Sequence, residues 1–103
     1  MNLTLTNELE PIRQWAKQRG IIDHGNPMTQ TVKLMEEVGE LAHALLRSDG
    51  VKTVDALGDC VIVLVSVASL CGVKLEDCIN QAYAEISERT GQMVNHNFIK
   101  DEK

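Results

Sequence analysis

Five carboxylates are grouped in two short strings: Glu36, Glu37 and Glu40 in EEVGE, and Asp55 and Asp59 in DALGD. At about 100° per residue, the three glutamates and Lys33 fall on one polar stripe of a helix, opposite a leucine-rich face. Alone, such a stripe reads as a solvated surface with weak ion pairs. Asp55 and Asp59 change that reading. They lie at i and i+4 of an otherwise apolar segment, so burial would desolvate two like charges with only Lys52 near to compensate. Two antiparallel helices joined through Ser48 to Lys52 would bring EEVGE and DALGD face to face across one cleft. Hard oxygen donors without His or Cys at ligand spacing suit Mg²⁺, with Mn²⁺ as the alternative, rather than zinc. The matching chemistry is that of phosphates, whose oxygens such an ion coordinates while it lowers the pKa of an attacking water. Gly39 and Gly58, one in each string, each cost roughly 1 kcal/mol relative to Ala inside a helix, which implies close helix approach or room for a ligand.

The elements that must position these acids follow from periodicity and punctuation. A first helix is expected from Asn7 to Arg19, capped by Thr6, with Pro11 near its first turn and Gly20 at its end. Gly20 to Pro27 reads as a loop. A second helix should start at Met28 or Thr29 and run to Arg47, because Val32, Met35, Val38, Leu41, Ala42, Leu45 and Leu46 recur at spacings of three and four. Ser48, Asp49 and Gly50 stop it. The third element, Val51 to Cys71, contains the β-branched run VIVLVSV and could be a buried strand, but its length and the absence of a pairing partner favour a helix closed by Gly72. A fourth helix follows from Leu75 to Thr90, with Glu76 and Asp77 in its first turn and Arg89 in its last. The tail from Gly91 is either frayed or a small hairpin around Asn95 to Asn97. An all-α, four-helix bundle is therefore expected. The third helix is apolar around nearly its whole circumference and is expected to be buried on every side. Val61, Val65 and Ala68 on one flank and Val63, Val67 and Leu70 on another cannot all be covered within one short bundle, which predicts a twofold interface between copies.

Composition bounds the remaining possibilities. The 103 residues suit one domain, 1–103, with 91–103 as its tail. Fifteen acidic against ten basic residues give a net charge of -5, which offers no basic footprint for a nucleic acid polymer or an anionic membrane. Cys60, Cys71 and Cys78 lack metal-ligand spacing and are odd in number, so they read as buried thiols. No basic n-region precedes an apolar stretch at the N-terminus, which makes the cytoplasm the expected location. The apolar run Cys60 to Val73 falls short of the roughly 20 residues of a membrane span.

EEVGELAHAL and DALGDCVIVL resemble the two halves of the MazG-type, all-α nucleoside triphosphate pyrophosphohydrolases, in which an EExxE helix faces an ExxD helix around Mg²⁺. The resemblance runs from Ile12 to Val94 and is closest to compact, phage-like single-domain members with a tail like GQMVNHNFIKD. Ala56 stands where the family has its Glu, and Asp55 is the candidate substitute. The resemblance implies cleavage of a nucleoside triphosphate between the α and β phosphates, giving the monophosphate and pyrophosphate, in the clearing of unwanted nucleotides. By position, Glu37, Glu40 and Asp59 match metal ligands, and Glu36 matches an acid serving a second metal or orienting water. Lys33 and Arg89 match phosphate-contacting basic residues, while Ala84 stands near a position often held by a substrate-binding Asn. Trp15 could stack on a base or simply pack beside Ile12, and His43 reads as a surface residue. The resemblance also implies a homodimer or a homotetramer whose cleft is completed by a neighbouring chain, through Arg89 or the tail. A phosphoribosyl-ATP pyrophosphatase, a dUTP- or dCTP-specific relative, and a non-catalytic helical module disabled at Ala56 are the alternatives.

Overall fold

The computed structural model describes residues 2–102. The chain runs α1 (Glu10–Gln18), α2 (Ile21–His24), α3 (Pro27–Leu46), α4 (Gly50–Leu70), α5 (Leu75–Ile86), β1 (Gly91–Val94) and β2 (Asn97–Lys100). The four expected long helices are present, and the loop after α1 contains an additional one-turn helix, α2. Pro11 sets the start of α1. Beginning at Asn7 would place Pro11 beyond the first turn, where its missing N–H and its ring disrupt the helix, so α1 begins at Glu10 with Pro11 in that turn. Thr6 therefore does not cap it. The Leu9 N–H at this end instead donates to Glu76 Oε2 at 3.0 Å, an acceptor supplied by α5.

The turn that joins the two acid-bearing helices is short and fully bonded. Arg47 ends α3, Ser48 takes a left-handed φ of 52°, and Asp49 donates its N–H to the Ala44 carbonyl at 3.0 Å. The Asp49 side chain then accepts the Lys52 N–H at 3.0 Å and caps α4. One residue thus closes one helix and opens the next. This tight connection sets α3 and α4 side by side in the most extensive helix contact of the chain, while α1, α2 and α5 pack against α4. At the far end of α4, Gly72 at φ 77° completes the same closing motif, with the Val73 N–H bonded to the Ala68 carbonyl.

Burial on α4 differs from the expectation of a helix covered on every side. Ala56, Val63, Val65, Ser66 and Ala68 are buried, so Val63, Val65 and Ala68 are covered within the chain itself. Val51, Val54, Leu57 and Val61 are exposed, and Asp55 is exposed beside them. Most of the buried residues of α4 lie in its C-terminal half, whereas Ala56 is the one buried residue of its N-terminal half. The apolar run belongs to a 21-residue helix that is, by length and composition, long and apolar enough to cross a membrane. Three charged residues, Lys52, Asp55 and Asp59, occupy its N-terminal half, and four other elements of the chain supply its surroundings. Two thiol assignments also change: Cys71 and Cys78 are exposed, whereas Cys60 is half-buried.

α5 ends at Ile86, four residues before the expected Thr90, and Gly91 opens a two-stranded antiparallel hairpin rather than a frayed tail. Asn95 and His96 form its two-residue turn with φ of 50° and 69°, the twist that matches paired strands. Every residue of both strands is exposed.

Candidate metal centre

α3 turns the face bearing Leu34, Glu37, Leu41 and Ala44 toward α4, because these residues recur at spacings of three and four and are the covered ones. Glu37 thus enters the helix–helix seam, and Glu40 stands one turn further at its edge. From the opposite wall, Asp59 projects from a half-buried position on α4. One carboxylate oxygen from each of Glu37, Glu40 and Asp59 comes within 4.8 Å of the others, so the two strings do meet across the cleft.

The electrostatics of this group are unbalanced. Glu37 is 7% exposed. Its Oε1 faces Lys33 Nζ at 3.3 Å, but its buried Oε2 has no hydrogen-bond partner among the described residues. Partial burial, together with the negative charges of Asp55 and Glu37, pushes the Asp59 carboxyl above its ordinary value. Lys33 is pushed up in turn, chiefly by its bond to Glu37 and then by the charges of Glu37 and Glu36. A divalent cation fits this donor set: three carboxylates of one sign converge, and the unpartnered oxygen of Glu37 leaves a buried acceptor for it.

The other sequence candidates are distributed differently. Glu36 is exposed and pairs with Lys33 at 3.5 Å rather than joining the three. Asp55 also stays outside the group, in a cleft of about 520 Å³ that it lines with Glu40, His43, Ala44, Arg47, Asp49, Lys52 and Ala56. His43 is exposed and accepts a hydrogen bond from the Arg47 guanidinium. Trp15 is 43% exposed and lines a small apolar pocket with Pro11, Ile12 and Ile62, its ring 5.8 Å from the Arg19 guanidinium. Ile62 is one turn past Asp59 on α4. Arg89 is elsewhere, in a cleft at the base of the hairpin with Glu85, Glu88, Thr90, Lys100, Asp101 and Glu102.

A second buried acid has a different setting. Glu76 is fully buried, accepts from both terminal nitrogens of Arg13 at 2.5 and 2.7 Å and from the Leu9 N–H, and its carboxyl is thereby held down at about 2. The reading of Glu76 as a helix-end charge missed this pair, because Arg13 is 63 residues away in sequence.

The family model for the MazG nucleotide pyrophosphohydrolase domain matches residues 26–94, which contain all three converging acids. The chain belongs to this family. The MazG match begins at the cap of α3 and ends in the last residue of β1, so it takes in the α3–α4 hairpin, α5 and half of the terminal hairpin. An uncharacterized 18.2 kDa protein from the rep-hol intergenic region of Haemophilus phage HP1 (strain HP1c1) is 37% identical over 60 residues, which is 58% of this chain and 37% of that protein. The chain therefore spans little more than a third of the length of that relative. No solved structure matches it. Membership in the MazG family supports nucleotide pyrophosphohydrolase chemistry as the general class of activity.

Proposed function

We propose that this chain is a divalent-metal-dependent nucleoside triphosphate pyrophosphohydrolase that cleaves between the α and β phosphates. The observation that carries the proposal is the convergence of Glu37, Glu40 and Asp59 around the unpartnered buried oxygen of Glu37. These three residues would hold Mg²⁺ or Mn²⁺, and the bound ion would supply charge neutralisation on the phosphates and a more acidic water. Glu36, exposed at the rim, orients the attacking water and accepts its proton. Lys33, now tied to Glu36 and Glu37, can swing its flexible amine to a phosphate oxygen once the cation satisfies those carboxylates. Trp15 offers a face for the base, since its apolar pocket lies one helical turn beyond Asp59. Asp55, exposed beside Glu40, serves as an outer acid near Ala56.

The proposal includes a homodimer as the smallest active unit. Met28, Val32, Met35, Gly39, Ala42 and Leu46 alternate at spacings of four and three along the face of α3 turned away from α4, and all are exposed. Val51, Val54, Leu57 and Val61 add an uncovered apolar flank on α4. The chain is also open for its length, with a radius of gyration of 16.0 Å against about 13 Å for a compact unit of this size. A second copy covers these faces and could bring an Arg89 toward the cleft. The proposed setting is cytoplasmic clearance of unwanted nucleotides.

Pyrophosphate release measured across nucleoside and deoxynucleoside triphosphates and phosphoribosyl-ATP, with Mg²⁺ titrated, tests the activity. Metal-dependent release from at least one nucleotide is expected. A chain that binds metal but releases pyrophosphate from none would instead be a non-catalytic helical module.

A further inference from the structure

The cleft beside the carboxylates carries two cations that the metal chemistry does not use. Arg47, at the end of α3, and Lys52, in the first turn of α4, line it from opposite helices, above a floor formed by Ala44 and Ala56. Both alanines are 4% exposed, and no Phe, Tyr or Trp is among the described residues that line the space. The floor is therefore short and smooth, and the walls are polar. Neither Arg47 nor Lys52 makes an ion pair within 4.0 Å among the described residues, although Asp49 and Asp55 line the same cleft. The Nε of Arg47 donates to His43 Nε2, a bond that orients the guanidinium and leaves its two terminal nitrogens without partners among the described residues. A planar fork held in this way matches two oxygens of a phosphate, and a flexible amine across the cleft matches a third.

Glu40 borders this cleft and also belongs to the converging acids, so the cleft meets the acid group at that side chain. On α4, Lys52 precedes Asp59 by seven residues, roughly 10 Å along the helix axis. The apolar pocket of Trp15 lies on the other side of Asp59, beside Ile62. We infer that Arg47 and Lys52 bind the β and γ phosphates, the part of the substrate that leaves as pyrophosphate, with the nucleoside on the Trp15 side of the acids. This orientation rests on the pyrophosphohydrolase reading and gives it a direction. It places the highest charge of the substrate against the two free cations and its largest apolar surface against the only tryptophan of the chain.

Calorimetric binding of Mg²⁺-pyrophosphate, together with product inhibition of hydrolysis by pyrophosphate and by nucleoside monophosphate, tests the direction in the wild type, Arg47→Gln and Lys52→Gln. Both substitutions lie outside the core, and an unchanged melting temperature with unchanged Mn²⁺ affinity verifies that the acid group is intact. Each should weaken pyrophosphate binding and inhibition by about tenfold or more, while monophosphate inhibition changes by less than about twofold. Pyrophosphate affinity equal to wild type in both variants, or a loss confined to the monophosphate, would overturn the assignment while leaving the hydrolase reading in place. A wild-type chain that binds neither Mn²⁺ nor pyrophosphate and releases none would remove both.

Discussion

Among the described residues two glutamates, Glu37 and Glu76, are buried, and they are buried in opposite ways. Glu76 has every acceptor direction that matters filled: Arg13 grips both oxygens and the Leu9 N–H adds a third bond. Glu37 has one oxygen 3.3 Å from Lys33 and the other without a partner. Burying a carboxylate is tolerable when neighbours replace its water, and costly when they do not. The first arrangement ties α5 to α1 and is complete in itself. The second persists at a cost that an incoming cation would remove. A fully paired buried acid thus holds the fold, whereas a half-paired one among other carboxylates leaves a buried acceptor open, where the proposed cation would sit.

The contrast is broken most severely by removing one partner from the complete pair. Arg13→Ala should destabilise the fold by about 3–5 kcal/mol in urea denaturation, because it strands the Glu76 charge, while Mn²⁺ affinity per folded molecule stays unchanged. Glu37→Gln should do the reverse. Turnover should fall by at least about 100-fold, since losing a direct ligand exceeds the cost of losing the groups behind one, and the melting temperature without metal should hold or rise.

Acid sharpens the same comparison. The Glu76 carboxyl is held at about 2, below its ordinary 4.5, so the stabilisation it brings is complete above the ordinary value and is lost as the pH falls through about 2. In Arg13→Ala burial acts on the Glu76 carboxyl without the guanidinium to oppose it, and acid neutralises the stranded charge. The stability gap between variant and wild type, measured by urea denaturation at each pH, should therefore narrow as the pH falls from neutral toward about 2. Asp59 has the opposite sign: its carboxyl is raised, so its favourable contribution is present below 3.8 and is lost as the pH rises through the raised value. At neutral pH the metal-free protein carries that cost, and Asp59→Asn should melt slightly higher than wild type without metal while losing turnover. The smallest change is expected for Asp55→Ala, which removes only the outer, exposed charge. Mn²⁺ affinity should fall by less than about threefold, and a larger loss would make Asp55 a ligand.

Much of this arrangement was legible because it depends on local spacing. EEVGE and DALGD each sit on one helix, and Ser48, Asp49 and Gly50 announce the turn, so their meeting across α3 and α4 follows from helical periodicity alone. The convergence narrows to Glu37, Glu40 and Asp59, because Glu36 and Asp55 are rotated about 100° from Glu37 and 40° from Asp59 toward solvent. What spacing does not carry is long-range pairing. Nothing local to Glu76 distinguishes a first-turn acid from one buried against Arg13 that also accepts the Leu9 N–H at the start of α1. Which side of α4 stays uncovered is non-local in the same way: apolarity around a helix says that its faces avoid water, but not which of them its own chain reaches.

Titrating Mn²⁺ calorimetrically into the wild-type chain and into Glu37→Gln addresses the carboxylate centre most directly. The wild type should bind, and Glu37→Gln should bind at least about tenfold more weakly, with both proteins equally folded by circular dichroism. Superimposable isotherms would contradict the assignment of the unpartnered Glu37 oxygen as the seat of the cation.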